Sequence, residues 1–273
     1  MKIFAGTIAY NAEFYIEASL KSLYDYVDGI YVIDGSAVGP STDKTVEAAR
    51  SVGKKVEVVS GTFKCGHTHN NREWGEQAQR QLYIDLMEKD ANNWCILHDA
   101  DEVWDDGNIG RLVEHARKAS PETMLLSYHW LHFFRDPWHT ITGGNWKKPR
   151  AVGTFRLIPG VTQMSYNTVG LAGINWTWAH PPTKTILDDV LFYHYGHCLP
   201  FDRYAFKVKC FVEQGLYKGY APHEWKRYKK ESLIPWWNKG VNISSVKEYA
   251  GEHPKAIQHL IPKMEKFYEK QEK

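Results

Sequence analysis

The residues best suited to chemistry sit in Ile96–Glu102, where the chain reads ILHDADE. Two aspartates spaced i, i+2 and a following glutamate are delivered by a short apolar run. Hard divalent cations take oxygen ligands, and Mg2+ or Mn2+ needs only one or two protein carboxylates when substrate phosphates complete the shell. Paired aspartates also occur in ordinary turns, so the spacing gains its weight from lying at a strand end. A second group is Tyr193–His197, reading YHYGH, with two histidines three apart at the end of another apolar run. Neutral imidazole completes sites made of carboxylate, phosphate and water. Cys65, His67 and His69 lie together, but no fourth ligand stands at a zinc spacing, so this stretch reads as a polar loop. His129, Trp130, His132 and His139 lie in an aromatic stretch whose alternation reads as core packing.

The elements that must position these groups follow from the hydrophobic pattern. Strands are predicted at Lys2–Ala9, Gly29–Asp34, Lys55–Val59 and Trp94–His98. Helices are predicted at Glu13–Tyr26, Thr42–Val52 (capped by Ser41 or Thr42), Gly75–Lys89 and Ile109–Lys118. Strand–helix alternation argues a mostly parallel α/β sheet sandwiched by helices, Rossmann-like in this nucleotide-binding half. Right-handed crossovers then gather the strand carboxyl ends on one edge, where ligands of such sheets bind. Asn11, Asp34 and the Asp99/Asp101 pair each follow a different strand end and so converge there. Beyond residue 120 the pattern is less regular. Strands are predicted at Thr123–Phe134, Val152–Ile158 and Leu187–Tyr195, and helices at Phe201–Tyr217 and His253–Lys270. The expected division is a nucleotide-binding half at 1–120, an acceptor half at 121–200 continuing the same sheet, and a helical basic segment at 201–273.

Composition removes several classes. The 273 residues are 43% hydrophobic and 24% charged, which excludes a disordered or collagenous chain, and no apolar run is long enough to span a membrane. The opening MKIFAGTIAYNAEF reads as a strand and not as a signal peptide, so a cytoplasmic location with four reduced cysteines is expected. A net charge of +2 gives no reason to expect nucleic acid. Residues 201–273 carry 15 Lys and Arg against 9 Asp and Glu. Such a segment suits peripheral contact with an anionic membrane, an anionic donor, or simply a solvated helix face. The 11 tryptophans suit stacking on sugar rings, with Trp138, Trp146, Trp176 and Trp178 as candidates, and they suit core packing equally. Trp236 and Trp237, beside Lys226, Arg227, Lys229 and Lys230, suit lipid headgroups or an acidic glycan. Dinucleotide, P-loop, nucleophile-elbow and HExxH motifs are absent from the sequence.

Four segments, taken in order, carry a resemblance: Thr7–Glu13 (TIAYNAE), Ile33–Ser36 with Ser41–Thr45 (IDGS, STDKT), Gln79–Gln81, and Asp99–Glu102 (DADE). This series resembles nucleotide-sugar glycosyltransferases of the GT-A fold, family 2 type, with a D-x-D-E metal motif. The resemblance covers about residues 1–120 and extends to the His194 region. It implies an enzyme of the hexosyltransferase type that moves a sugar from a nucleotide-sugar donor, UDP-sugar favoured, to a glycan or other acceptor with Mn2+ or Mg2+. It implies that Asp34 meets the base, that Ala9 and Asn11 line the nucleoside, and that Arg80 faces the base or the phosphates. Asp99 would meet the ribose or a metal-bound water, with His98 and Ala100 beside it, and Glu102 the donor sugar or the turn itself. Asp101 would hold the metal, joined by His194 or His197. The acceptor's proton needs a base. Where relatives carry a His-Glu pair after an Arg-Leu-Phe strand, this chain has Arg156-Leu157-Ile158 and then no glutamate, so the base stays open among Asp136, His180, Asp188 and Asp189. The competing readings are a metal-dependent nucleotidyltransferase or hydrolase, and a non-catalytic sugar-binding protein on a transferase-like fold.

Overall fold

The computed structural model describes residues 1–63, 66–68, 71–73, 75–134, 136–142, 149–150, 152–165, 168–171, 183–199, 203 and 246–269. The segments singled out around Trp146, Trp176, Trp178, His180, 204–239, Cys65, His69 and Cys210 lie outside them. Elements follow in the order β1 Ile3–Ala9, α1 Ile16–Tyr24, β2 Gly29–Ser36, α2 Thr45–Ser51, β3 Val56–Thr62, β4 Gly66–Thr68, β5 Asn71–Glu73, α3 Gly75–Leu86, β6 Trp94–Asp99, β7 Glu102–Val103 and α4 Asp106–Lys118. Then come β8 Leu125–Phe134, β9 His139–Ile141, β10 Thr154–Arg156, β11 Val161–Ser165, β12 Thr168–Leu171, β13 Lys184–His197, β14 Val246–Glu248, a 3-10 turn at Lys255–Leu260, and α5 Ile261–Glu269. The chain divides into two compact units. The first is Met1–Trp130, Pro149–Phe192 and Pro254–Ile257; the second is Leu131–Lys148, Tyr193–His253 and Gln258–Lys273.

In the first unit β3, β2, β1 and β6 are parallel neighbours in that order, and β10 adds antiparallel beside β6. This is the mostly parallel α/β sheet expected. The two-residue period of a strand sorts its side chains into two buried layers. Ile3 and Ala5 of β1, Ile30 and Val32 of β2, and Trp94 and Ile96 of β6 pack against Ile16, Leu20 and Leu23 of α1, Ala49 of α2, and Ile109, Leu112 and Val113 of α4. The alternate positions, Phe4, Ile33, Cys95 and Leu97, meet Tyr83, Ile84 and Met87 of α3. Burial of the Cys95 thiol pushes its pKa well up, so it behaves as a small apolar side chain. Gly6 lies on the α3 layer, where a Cβ would sit 2.4 Å from the Tyr83 ring. That glycine is what lets α3 lie so close to β1.

Two local expectations are corrected. Neither Ser41 nor Thr42 caps α2. The Asp43 carboxylate accepts from the Thr45 N–H at 3.0 Å, because Ser41 and Thr42 are spent on Asn11. The terminal segment starts as a 3-10 turn before it becomes α5. The short strands β4, β5, β7, β9 and β14 were not anticipated; runs of two or three residues carry no readable period.

In the second unit β9 pairs with the end of β8 and with β14. Phe133 stacks on Tyr195 with centroids 4.6 Å apart and takes the edge of Tyr249 at 5.1 Å. His253 closes this cluster, its Nδ1 2.8 Å from the Tyr195 hydroxyl. Burial among these rings disfavours the imidazolium and lowers the His253 pKa from 6.5 to about 4.

Two outcomes follow for stability. Gly6→Ala should cost about 1–3 kcal/mol in urea denaturation, because the Tyr83 ring has to move. An unchanged midpoint would contradict that packing. For His253, the unfolded chain binds a proton more readily than the folded one between about pH 6.5 and pH 4, so its contribution is present above that window and lost as pH falls through it. The melting temperature should therefore fall less between pH 7 and pH 5 in His253→Gln than in the parent chain. Parallel curves would show that His253 is not buried as a neutral group.

Candidate functional site

Alternation along β6 turns His98 towards α1 and Asp99 towards α3. His98 is buried, with Nε2 2.7 Å from the Ser19 hydroxyl of α1. Asp99 is held by two arginines. Its Oδ1 accepts from Arg80 Nη2 at 2.8 Å, and its Oδ2 from Arg150 Nη2 at 3.3 Å. Arg80 comes from α3 and is wholly buried. Arg150 Nη1 also donates to both oxygens of Glu102, at 2.6 and 2.7 Å, and to the Leu97 carbonyl at 3.3 Å. Glu102 is 1% exposed, and its Oε2 accepts the Asp99 N–H at 3.0 Å, which closes the turn through Ala100 and Asp101.

The buried Arg80, Arg150 and Glu102 and the partly exposed Asp99 thus form one cluster with no net formal charge. Desolvation of such groups is repaid only by close, well-aligned pairing. Asp99 and Glu102 are the motif carboxylates paired with the two arginines, and Asp101 lies half-buried at the tip of the turn. A carboxylate oxygen there suits a hard divalent cation.

Asp34 lies at the same sheet edge. In the register, Asp34 pairs with Ala9 while the preceding residue Ile8 pairs with Asp99, so Asp34 and Asp99 flank the end of β1. Asp34 is wholly buried. Its Oδ2 accepts from the Ser41 N–H at 3.2 Å, and its Oδ1 has no partner among the described residues. A buried carboxylate oxygen without a donor marks a place where a ligand's N–H or O–H is missing.

The loops after β1 and β2 are zipped together around this edge. Asn11, at φ 49°, donates its N–H to Ser41 Oγ at 2.8 Å and accepts the Thr42 N–H on Oδ1 at 2.9 Å. Asparagine is among the residues that tolerate this left-handed conformation. The Ala12 N–H reaches Thr45 Oγ1 at 2.7 Å, and the Lys44 N–H reaches Glu13 Oε2 at 3.2 Å. From α3, Gln79 Nε2 donates to the Gly35 carbonyl at 2.9 Å.

The remaining candidates make contacts of their own. Asp189, on β13, takes both oxygens to 3.0 Å from His115 of α4, whose hydrogen bond lowers the Asp189 pKa. Asp188 pairs with His129 at 3.1 Å. In the second unit Asp136 accepts from the Trp138 N–H and contacts His139 Nδ1, both at 2.8 Å. The Trp138 indole donates to Glu265 at 2.8 Å. His194 and His197 do come together, and His132 joins them, with ligand atoms of all three within 4.8 Å of one another. The sequence alone gives Arg150 no site role, names Gln79 only within the Gln79–Gln81 segment, and reads His132 as core packing. The only hint for Arg150 was that a buried D-x-D-E glutamate needs a cation, and the only hint for His132 was its even spacing from Trp130 and Phe134.

The buried network makes a direct prediction. Arg150→Met should destabilise the protein by about 3–5 kcal/mol, because Glu102 is left buried without its cation. Glu102→Gln added to it should recover part of that loss in a double-mutant cycle of denaturation midpoints. Strict additivity would refute the coupling.

Comparison with known proteins bears on the whole arrangement. No curated protein sequence matches the chain. Among solved structures, glucosyl-3-phosphoglycerate synthase from Mycobacterium tuberculosis, in complex with Mn2+, uridine diphosphate and phosphoglyceric acid, is 20% identical with a TM-score of 0.35, over 47% of this chain and 43% of that one. The same enzyme with Mg2+ and uridine diphosphate is 18% identical with a TM-score of 0.35, over 47% of this chain and 43% of that one. A mycobacterial protein is 12% identical with a TM-score of 0.44, over 78% of this chain and 74% of that one. The chain therefore spans less than half the length of the synthase. The family model of glycosyl transferase family 2 matches residues 5–207, most of the sequence, and the chain belongs to that family.

Proposed function

We propose that this chain transfers a sugar from a nucleoside diphosphate sugar, a UDP-sugar in first place, to a glycan or other hydroxyl-bearing acceptor. The observation that carries the reading is the buried Asp34 carboxylate with one oxygen unpartnered, at the same sheet edge as the Asp99–Glu102 turn. A uracil ring offers one imide N–H, the donor that Asp34 Oδ1 lacks. In this reading Asn11, which holds the two loops in register, and Ala9 at the end of β1 border the nucleoside. Arg80 and Arg150 fix the Asp99 carboxylate in direction, so that it is presented in one geometry.

A divalent ion, Mn2+ or Mg2+, suits an oxygen donor at this edge, with Asp101 as its proposed carboxylate ligand. When bound, it supplies positive charge to the leaving diphosphate. Asp136, Asp189 and His180 remain the proposed proton acceptors. The His115 contact keeps Asp189 ionised, as a base requires. Among the described residues no helix is long and apolar enough to cross a membrane. The basic 201–273 segment is proposed as a peripheral contact for an anionic surface.

The test offers UDP-, GDP- and CDP-sugars with Mn2+ and follows nucleoside diphosphate release and thermal stabilisation. UDP-sugar with Mn2+ should raise the melting temperature and release UDP. Asp101→Asn should lower turnover by at least about 100-fold without lowering the melting temperature of the unliganded protein. Pyrophosphate release would favour a nucleotidyltransferase, stabilisation by a free glycan alone would favour a sugar-binding protein, and full turnover in Asp101→Asn would refute the site.

A further inference from the structure

We propose that His132, His194 and His197 form a nitrogen-donor metal site that takes up one divalent transition-metal ion by itself, before any nucleotide arrives. The inference touches the family resemblance only where that resemblance gives the ion a single late histidine. The three-imidazole site stands on its own geometry.

All three rings belong to the second unit. His132 shares its face of β8 with Trp130 and Phe134, opposite the Phe133 side that stacks on Tyr195. His194 occupies the corresponding alternate position on β13, opposite Tyr195, and β13 pairs with β8. His197 returns to the same group from the last residue of β13. The ring centroids are 4.5 Å apart for His132 and His194, 5.6 Å for His194 and His197, and 6.5 Å for His132 and His197.

The ligand nitrogens are closer still. The Nδ1 atoms of His132 and His194 are 2.8 Å apart, and one nitrogen from each of the three rings lies within 4.8 Å of the others. Two imidazoles on one tetrahedral ion stand about 3.3 Å apart at the usual metal–nitrogen length. Small ring movements therefore convert this contact into a chelate. In the metal-free pair, one Nδ1 carries the shared proton and donates it to the lone pair of the other. Metal uptake shifts that ring to its other tautomer, the proton passing by exchange with water from Nδ1 to the ring's own Nε2, and places both Nδ1 lone pairs on the ion. Three protein ligands leave a coordination position for water or a substrate oxygen, the pattern of catalytic rather than structural sites.

The chemistry also selects the ion. Imidazole suits Zn2+, Co2+, Fe2+ and Mn2+ in preference to Mg2+, which holds to oxygen ligands. Burial of His132 shields this donor set from water on one side. No other group of three metal-ligating side chains forms among the described residues.

The experiment titrates the chelator-treated full chain with Co2+ and with Zn2+, without nucleotide, by calorimetry and visible absorption. One ion per chain is expected, with the absorption of nitrogen-bound cobalt. His132→Gln and His197→Gln should each weaken binding by at least about 10-fold, a cost that even the outer partners of metal ligands reach. Asp101→Asn should bind cobalt as the parent does. If His132→Gln fails to fold by circular dichroism, His197→Gln at the less buried corner decides the matter. No uptake, uptake indifferent to the histidine changes, or uptake lost in Asp101→Asn would each overturn the proposal. Cobalt stoichiometry judges this site and nucleoside diphosphate release judges the transferase reading, so either can fail without the other.

Discussion

Everything at the candidate site depends on a buried exchange of charge at the end of β6. Arg80 and Arg150 enter the interior from separate parts of the chain and meet Asp99 and Glu102 there. Each guanidinium would be costly alone, and so would each carboxylate. Together they neutralise one another and close the turn that carries Asp101. The motif is therefore two things at once. Its first and last acids pair with the arginines, and the middle one, Asp101, lies half-buried at the tip of the turn.

That division of labour bears on how a diphosphate could be handled. A phosphate-binding edge must offer positive charge without collapsing onto its own carboxylates. Here both arginines pair with motif carboxylates, and in the proposed reaction a bound divalent cation would add positive charge at the leaving group. On the other side of β1, Asp34 Oδ1 has no partner among the described residues, and the loop segments Asn11–Glu13 and Ser41–Thr45 are cross-linked by backbone donors. The edge is thus rigid where a base would be read and acidic where an ion would sit.

Much of this could be read before any coordinates. The parallel strands β1, β2 and β6 are buried on both faces, so they appear as continuous apolar runs, and their polar ends mark the ligand edge. The family is legible for the same reason: its motifs are those strand ends, in order. What stayed hidden is tertiary. Nothing local to Arg150 says that it reaches Glu102, forty-eight residues away. The cap of α2 differs because the helix begins only at Thr45 with Lys44 at its N-cap position, while Ser41 and Thr42 bond Asn11 and Asp43 accepts the Thr45 N–H. His132 read as packing because one strand's alternation shows which face a side chain takes but not what stands opposite. The three-histidine cluster exists only once β13 lies against β8.

The central claim is that the edge bounded by Asp34 and Asp101 is the nucleotide crevice. A crystal structure of the full chain soaked with uridine diphosphate and Mn2+ tests it most directly. The account predicts a uracil N–H on Asp34 Oδ1 and an anomalous Mn2+ peak against the Asp101 carboxylate. A nucleotide seated away from the ends of β1, β2 and β6, with Asp34 Oδ1 still unpartnered, would contradict it.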